Sequence, residues 1–267
     1  MSFNEKKAVD VPTDHPRYLS LKYRHKIIDG MHDSVVAEAG LIAHGRGECF
    51  DYILGERTNK FAEKAIKAAV AFLLLADHPI ISVNGNVAAL CSKELVSLSQ
   101  SINAPLEINL FYRKKGRIEA IKNLLEKHGA SKILGTDMNK MVEIKELSSN
   151  RRRVDPNGIY NSDVVFVPLE DGDRTEALKK IGKKIIAIDL NPLSRTSIWA
   201  DITIIDNIVR TLPQMVQISK EFKSKDKAFL NEIIANYDNR NTIQEALNHI
   251  IKYVKSQKSK AFDILKK

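Results

Sequence analysis

The chain has 267 residues, 43% of them hydrophobic and 28% charged, and its 42 Lys and Arg against 33 Asp and Glu leave a net charge of +9. These proportions fit a folded globular protein and exclude a disordered one, which would carry fewer apolar groups or a far larger charge imbalance. Most of the surplus sits in residues 220–267 and in the run Arg151-Arg152-Arg153. The rest of the chain is nearly neutral, so a broad cationic face for nucleic acid is not expected, and neither charged stretch is expected to serve binding.

The longest apolar run, residues 68–76, falls well short of the roughly 20 residues that a membrane span requires. The polar start of the chain has no apolar leader, and a cytoplasmic protein without membrane contact is the expectation. Cys49 and Cys91 support neither a disulfide framework nor a four-ligand zinc site, and both read as buried thiols.

Taken in chain order, residues 1–79 read as a helical N-terminal part. Ala62, Ala65, Ile66, Ala69, Val70, Leu73 and Leu74 form a wide apolar stripe at helical spacing, a core or interface helix. From residue 80 to 210, short β-branched runs alternate with helical periods. The predicted strands are 80–83, 106–111, 132–134, 164–167, 185–188 and 202–205, continuous runs of the kind buried on both faces of a parallel sheet. Leu95, Leu98 and Ile102 mark one intervening helix, Ile118, Ile121, Leu124 and Leu125 a second, and residues 175–181 a third. Residues 137–162 lack periodicity and read as an excursion from the sheet. In residues 211–267, Pro213 suits a first helical turn, and Thr242 with Glu245 matches a capping box before Ile243. The predicted fold is one α/β domain, a Rossmann-like, doubly wound and mostly parallel sheet with N-terminal and C-terminal helices.

Ligands of such a sheet bind at the carboxyl ends of its strands. Segments entering the strands are plain, whereas those leaving them are rich in Asn, Asp, Glu and Arg: Asn84-Gly85-Asn86, Tyr112-Arg113, Glu170-Asp171 with Asp173 and Arg174, Asp189 to Arg195, and Asp206-Asn207. Mixed guanidiniums and carboxylates on one rim suit an anionic, phosphorylated substrate together with a divalent cation. Arg46, Asn84, Arg113 and Asp171 are the candidates for the chemical step. His44-Gly45-Arg46-Gly47-Glu48 matches neither the dinucleotide nor the Walker A spacing. It reads as a glycine turn that serves either plain chain reversal or close approach to a polyphosphate.

At these same places the sequence resembles the archaeal phosphopantothenate synthetase family, ligases that join 4-phosphopantoate to β-alanine in coenzyme A biosynthesis. The resembling stretches are HPRYLSLKYRHKII from His15, AGLIAHGRGECFDYILGERT from Ala39, HPIISVNGNVAAL from His78, EINLFYR from Glu107, DVVFVPLEDGDRTEAL from Asp163 and IAIDLNPLSRTSIWADITIIDN from Ile186. The resemblance implies an ATP-dependent and Mg²⁺-dependent condensation in which the acid is activated as an acyl-adenylate, releasing AMP and pyrophosphate. It also implies ATP contacts by Arg24, Arg46, Asp189, Leu190, Asn191, Arg195, Thr196, Asn207 and Ile208, and a homodimer in which the apolar stripes at 62–74 or 243–254 find a partner. Two other readings stand beside it: a nucleotide-dependent ligase for another acid and amine, and a non-catalytic nucleotide- or nucleic-acid-binding module.

Overall fold

A computed structural model describes residues 11–265, so the leaderless start read from residues 1–10 and the last two lysines of the basic tail lie outside the described residues. Three helices come first: α1 (Tyr18–His32), α2 (Glu38–Leu54) and α3 (Lys60–Leu75). The alternating part follows as β1 (Pro79–Val83), α4 (Gly85–Ile102), β2 (Leu106–Ile108), α5 (Arg117–Lys127) and β3 (Ile133–Leu134). A small antiparallel ribbon, β4 (Val142–Glu143) and β5 (Arg153–Val154), lies within the excursion. The second half is β6 (Val164–Pro168), α6 (Gly172–Lys180), β7 (Lys184–Ile188), α7 (Arg195–Trp199) and β8 (Ile202–Ile204). The chain then runs through α8 (Ile208–Phe222), α9 (Lys227–Ala235) and α10 (Asn239–Leu265).

The six predicted strand segments form one parallel sheet in the order β3-β2-β1-β6-β7-β8, which is the doubly wound arrangement. Register follows the apolar pattern. Ile133, Leu106, Ile81, Phe166, Ile186 and Ile202 line up in a single row across all six strands. That row faces α3, α4, α5 and α8, while the alternate residues Ile80, Val165 and Ile185 face the other side.

On that other side, Ala177 and Leu178 of α6 share the cover with Ile144, Leu147, Val154 and Ile159 of the excursion. The excursion thus occupies the place of a crossover helix between β3 and β6. A buried carboxylate fastens it: Glu107 of β2 accepts from the backbone N–H groups of Asp155 at 3.0 Å and Ile159 at 2.7 Å. Burial raises the Glu107 carboxyl to about 7.

Several expectations need correcting. The α3 stripe is covered within the chain by α8, α9 and α10 and leaves no open face for a partner. In α10, by contrast, Ile251 and Val254 remain exposed. Pro213 is inside α8 because the helix starts earlier, at Asn207, whose side chain accepts from the Val209 N–H. Thr242 lies within α10 rather than at its cap: Asp238 takes the Arg240 N–H at 2.9 Å, and Thr242 bonds back to the Asp238 carbonyl. Cys91 is buried but Cys49 is exposed. No helix among the described residues is long and apolar enough to cross a membrane.

Candidate functional site

The sheet order reverses between β1 and β6, and a cleft of about 490 Å³ opens at the carboxyl ends of these strands. Helix α2 forms one wall. The glycine-flanked segment around Arg46 is not a turn but the middle of this helix. Glycine in a helix interior costs about 1 kcal/mol relative to alanine, and among the glycines of α2 close approach explains Gly40, whereas Gly45 has nothing near its Cβ position. A Cβ on Gly40 would lie 2.3 Å from Asn86 Oδ1 at the start of α4, so only glycine lets the two helices meet there. Gly47 faces Leu190 across the cleft, and Arg46 stands exposed at its edge.

The wall made by β7 and β8 carries most of the predicted nucleotide contacts. Asp189, at the end of β7, accepts from the Asn191 N–H at 2.9 Å and from the Ser194 hydroxyl, which folds the Asp189-Leu190-Asn191 loop over the strand ends. Burial pushes its carboxyl up, while the Arg46 guanidinium opposes that shift. Thr196 is buried and donates to the Glu170 carbonyl at 3.1 Å, linking this wall to β6. Asn207 is fully engaged: its Oδ1 caps α8 and its Nδ2 donates to Asp51 of α2 at 2.7 Å. Asn207 and Ile208 therefore offer shape rather than a free side-chain polar group.

The opposite wall comes from the ends of β1, β2 and β6. Asn84 also has no free side-chain group. It accepts from the Val87 N–H and donates to the carbonyls of Pro168 and Leu169, both at 3.1 Å. These bonds pin β1 to β6 across the switch point. Asp171 caps α6 through the Arg174 N–H at 2.9 Å and accepts from Arg151 at 3.0 Å.

Arg46, Asn84, Asp171, Asp189, Leu190, Asn191, Arg195, Thr196, Asn207 and Ile208 all line this one cleft, but Arg24 and Arg113 do not. Arg24 lies one step behind the wall, bound to Glu48 at 2.8 Å. Arg113 turns to the excursion and donates to the Arg153 carbonyl at 3.0 Å. Arg174, grouped with the rim in the sequence, is wholly buried and held by Ser82 and Glu170. Arg195 is exposed and tied to Asp173 and Glu176.

Three residues on the walls have no counterpart among the predicted ones. Arg151 of the excursion is buried, lines the cleft and pairs with Glu170 and Asp171, so the Arg triplet is not merely solvated charge. Arg117, the first residue of α5, lines the cleft where Arg113 was expected to. His44 lines the cleft with its Nε2 buried and without a hydrogen-bond partner, and burial lowers its pKa, which favours the neutral imidazole. Helix-start position is the sequence feature that distinguishes Arg117, because a cation is disfavoured there.

The sequence model of the family described as Phosphopantothenate/pantothenate synthetase matches residues 61–253. A 4-phosphopantoate–beta-alanine ligase of Thermococcus kodakarensis is 54% identical over 91% of this chain and 92% of its own length. Proteins of the same name from Thermococcus onnurineus and Methanosarcina mazei are 55% and 48% identical, over 91% and 92% of this chain and 92% and 96% of theirs. With the family match spanning most of the sheet and relatives this similar along nearly the whole length, the chain belongs to the phosphopantothenate/pantothenate synthetase family.

Proposed function

We propose that the protein is a carbon–nitrogen ligase that condenses 4-phosphopantoate with β-alanine to 4'-phosphopantothenate in coenzyme A biosynthesis, using ATP. The observation that carries this reading is the single cleft at the switch point, flanked by arginines on both sides and bounded by a polar strand-end loop suited to a nucleotide. A carboxylate is a poor acceptor for an amine until one of its oxygens becomes part of a good leaving group. In the proposed reaction a carboxylate oxygen of phosphopantoate attacks the α-phosphorus of ATP, and pyrophosphate departs. The β-alanine nitrogen then attacks the acyl carbon of the adenylate, and AMP leaves with that oxygen.

The chain's contribution is to hold two anions together and to move a proton. Arg46, exposed on α2 and facing the Asp189 loop, would neutralise phosphate charge during the first step. Thr196 and the Asn191 loop keep the nucleotide wall closed against β6. β-Alanine must attack as the free amine, and the neutral His44 imidazole is a proton acceptor on the cleft wall.

Among the described residues no three His, Cys, Asp or Glu side chains are grouped to hold a metal ion. Asp171 and Asp189 reach the cleft singly, an arrangement that fits Mg²⁺, because this ion keeps its waters and takes many of its ligands from phosphates. Either carboxylate would hold it singly, and it would supply charge neutralisation on the polyphosphate. A cytoplasmic location and a homodimer belong to the same proposal, with exposed Ile251 and Val254 of α10 as apolar surface for a second copy.

Incubation with ATP, Mg²⁺, 4-phosphopantoate and β-alanine should release AMP and pyrophosphate in step with product. Release of ADP and phosphate would reject the adenylate route, and no turnover with this acid and amine would reject the substrate assignment.

A further inference from the structure

Arg117 is 6% exposed, yet among the described residues no carboxylate lies within ion-pair distance of it, whereas Arg24, Arg151, Arg174, Arg195 and Arg210 each have one. Its terminal nitrogens donate to two backbone carbonyls, Tyr112 and, at 2.8 Å, Val35, and its Nε has no partner. Burying a cation without a counter-ion is costly, and two features of its position add to that cost. Arg117 opens α5, where the helix dipole is positive, and it lies against the start of α4, whose dipole is also positive. A Cβ on Gly85, the first residue of α4, would come within 2.6 Å of the Arg117 guanidinium. Arg151 is close enough for the Arg117 charge to oppose its own ionisation, and its Nε is likewise buried without a partner. All three elements line the cleft on the side away from the Asp189 loop.

Two buried guanidiniums and the amino ends of two helices converge, and the described residues supply Arg117 with no carboxylate partner. We infer that Arg117, with Arg151 and the start of α4, seats the phosphate monoester of the acid substrate and thereby selects phosphorylated pantoate over pantoate. This inference rests on the ligase reading for the identity of the acid. The chemistry recognised is a phosphate, and the seat is assigned to the acid rather than to ATP because the predicted nucleotide contacts lie on the walls made by α2 and by β7 and β8.

The test compares wild type with Arg117→Gln and Arg117→Lys, each first checked for a cooperative melt. In Arg117→Gln, the ratio of kcat/KM for 4-phosphopantoate to that for pantoate should fall about 100-fold, the scale of lost charge-assisted hydrogen bonds to a dianion. Arg117→Lys keeps the charge but not the fork, and should lose about tenfold. Inorganic phosphate should compete with phosphopantoate in wild type and cease to do so in Arg117→Gln. Equal losses for both acids would reduce Arg117 to a structural residue and overturn the inference. A raised KM for ATP with an unchanged KM for phosphopantoate would overturn it too, by moving a nucleotide phosphate into the seat. If Arg117→Gln does not fold, an unchanged ratio in Arg117→Lys would be contrary. If wild type makes no product, the ligase reading fails by itself. The seat is then judged by calorimetric binding of phosphopantoate, which Arg117→Gln must lose.

Discussion

The two sides of the cleft use arginine in opposite ways. On the side of α2, β7 and β8, charges are balanced within the protein: Arg24 has Glu48, Arg195 has Asp173 and Glu176, and Arg210 has Asp51 and Asp206. Arg46, the exposed exception, faces the Asp189 carboxylate. On the side of β1, β2 and the excursion, Arg117 is buried with carbonyl partners alone, and Arg151 shares its carboxylates with the cap of α6 and with Arg174. A balanced wall can be built and kept without a ligand. A wall with a surplus buried cation is completed by an anion from outside, and the difference separates the two anionic substrates, ATP and phosphopantoate, of the proposed reaction.

Breaking the carboxylate that holds the acid side together should have the largest effect. Glu170→Ala leaves the buried Arg174 without its carboxylate and Arg151 with Asp171 alone, and should cost about 3–5 kcal/mol of stability in a denaturant melt. A change below about 1 kcal/mol would mean that these arginines find other partners. Arg46→Ala works on the balanced side and should leave the melt unchanged, because the side chain is exposed, while kcat/KM falls about 100- to 1000-fold. Wild-type turnover would remove Arg46 from the site.

Glu107 connects the acid side to its excursion, and its carboxyl is raised to about 7 by burial. The protonated form is thus favoured by folding. The associated stability is complete below the ordinary carboxylate pKa near 4.5 and is lost as pH rises through about 7. At about 1.4 kcal/mol per unit the loss is on the order of 3 kcal/mol, and Glu107→Gln should flatten the profile. A smaller effect is expected at Arg24→Ala, which breaks a partly exposed pair and should cost under about 1 kcal/mol of stability. Replacing exposed Lys255, Lys258 and Lys260 of α10 by Gln should change neither melt nor turnover.

The six strands and their two faces were legible in the sequence because burial on both sides writes continuous apolar runs. The Asp189-to-Thr196 wall was legible because its residues follow one strand in sequence. Arg117 and Arg151 were not, since one stands at a helix start and the other in an aperiodic segment, and only the sheet order brings them together. Arg113 drew attention because it lies in the polar segment that leaves a strand, but the residue that reaches the cleft, Arg117, stands four positions on, at the start of α5. The glycines around Arg46 suggested a turn because glycine is rare in helices. Within α2 it is Gly40, not these two, that meets α4 closely, and that approach is a tertiary fact. Asn84 and Asn207 were found at the right rim, yet their side chains are spent on fastening it.

The account turns on the acid being activated at its carboxylate by transfer to the nucleotide. Its most direct test is turnover of 4-phosphopantoate labelled with ¹⁸O in the carboxylate, with ATP, Mg²⁺ and β-alanine, followed by mass analysis of the products. One labelled oxygen should appear in AMP for each molecule of amide formed. Label in inorganic phosphate, with AMP unlabelled, would contradict it.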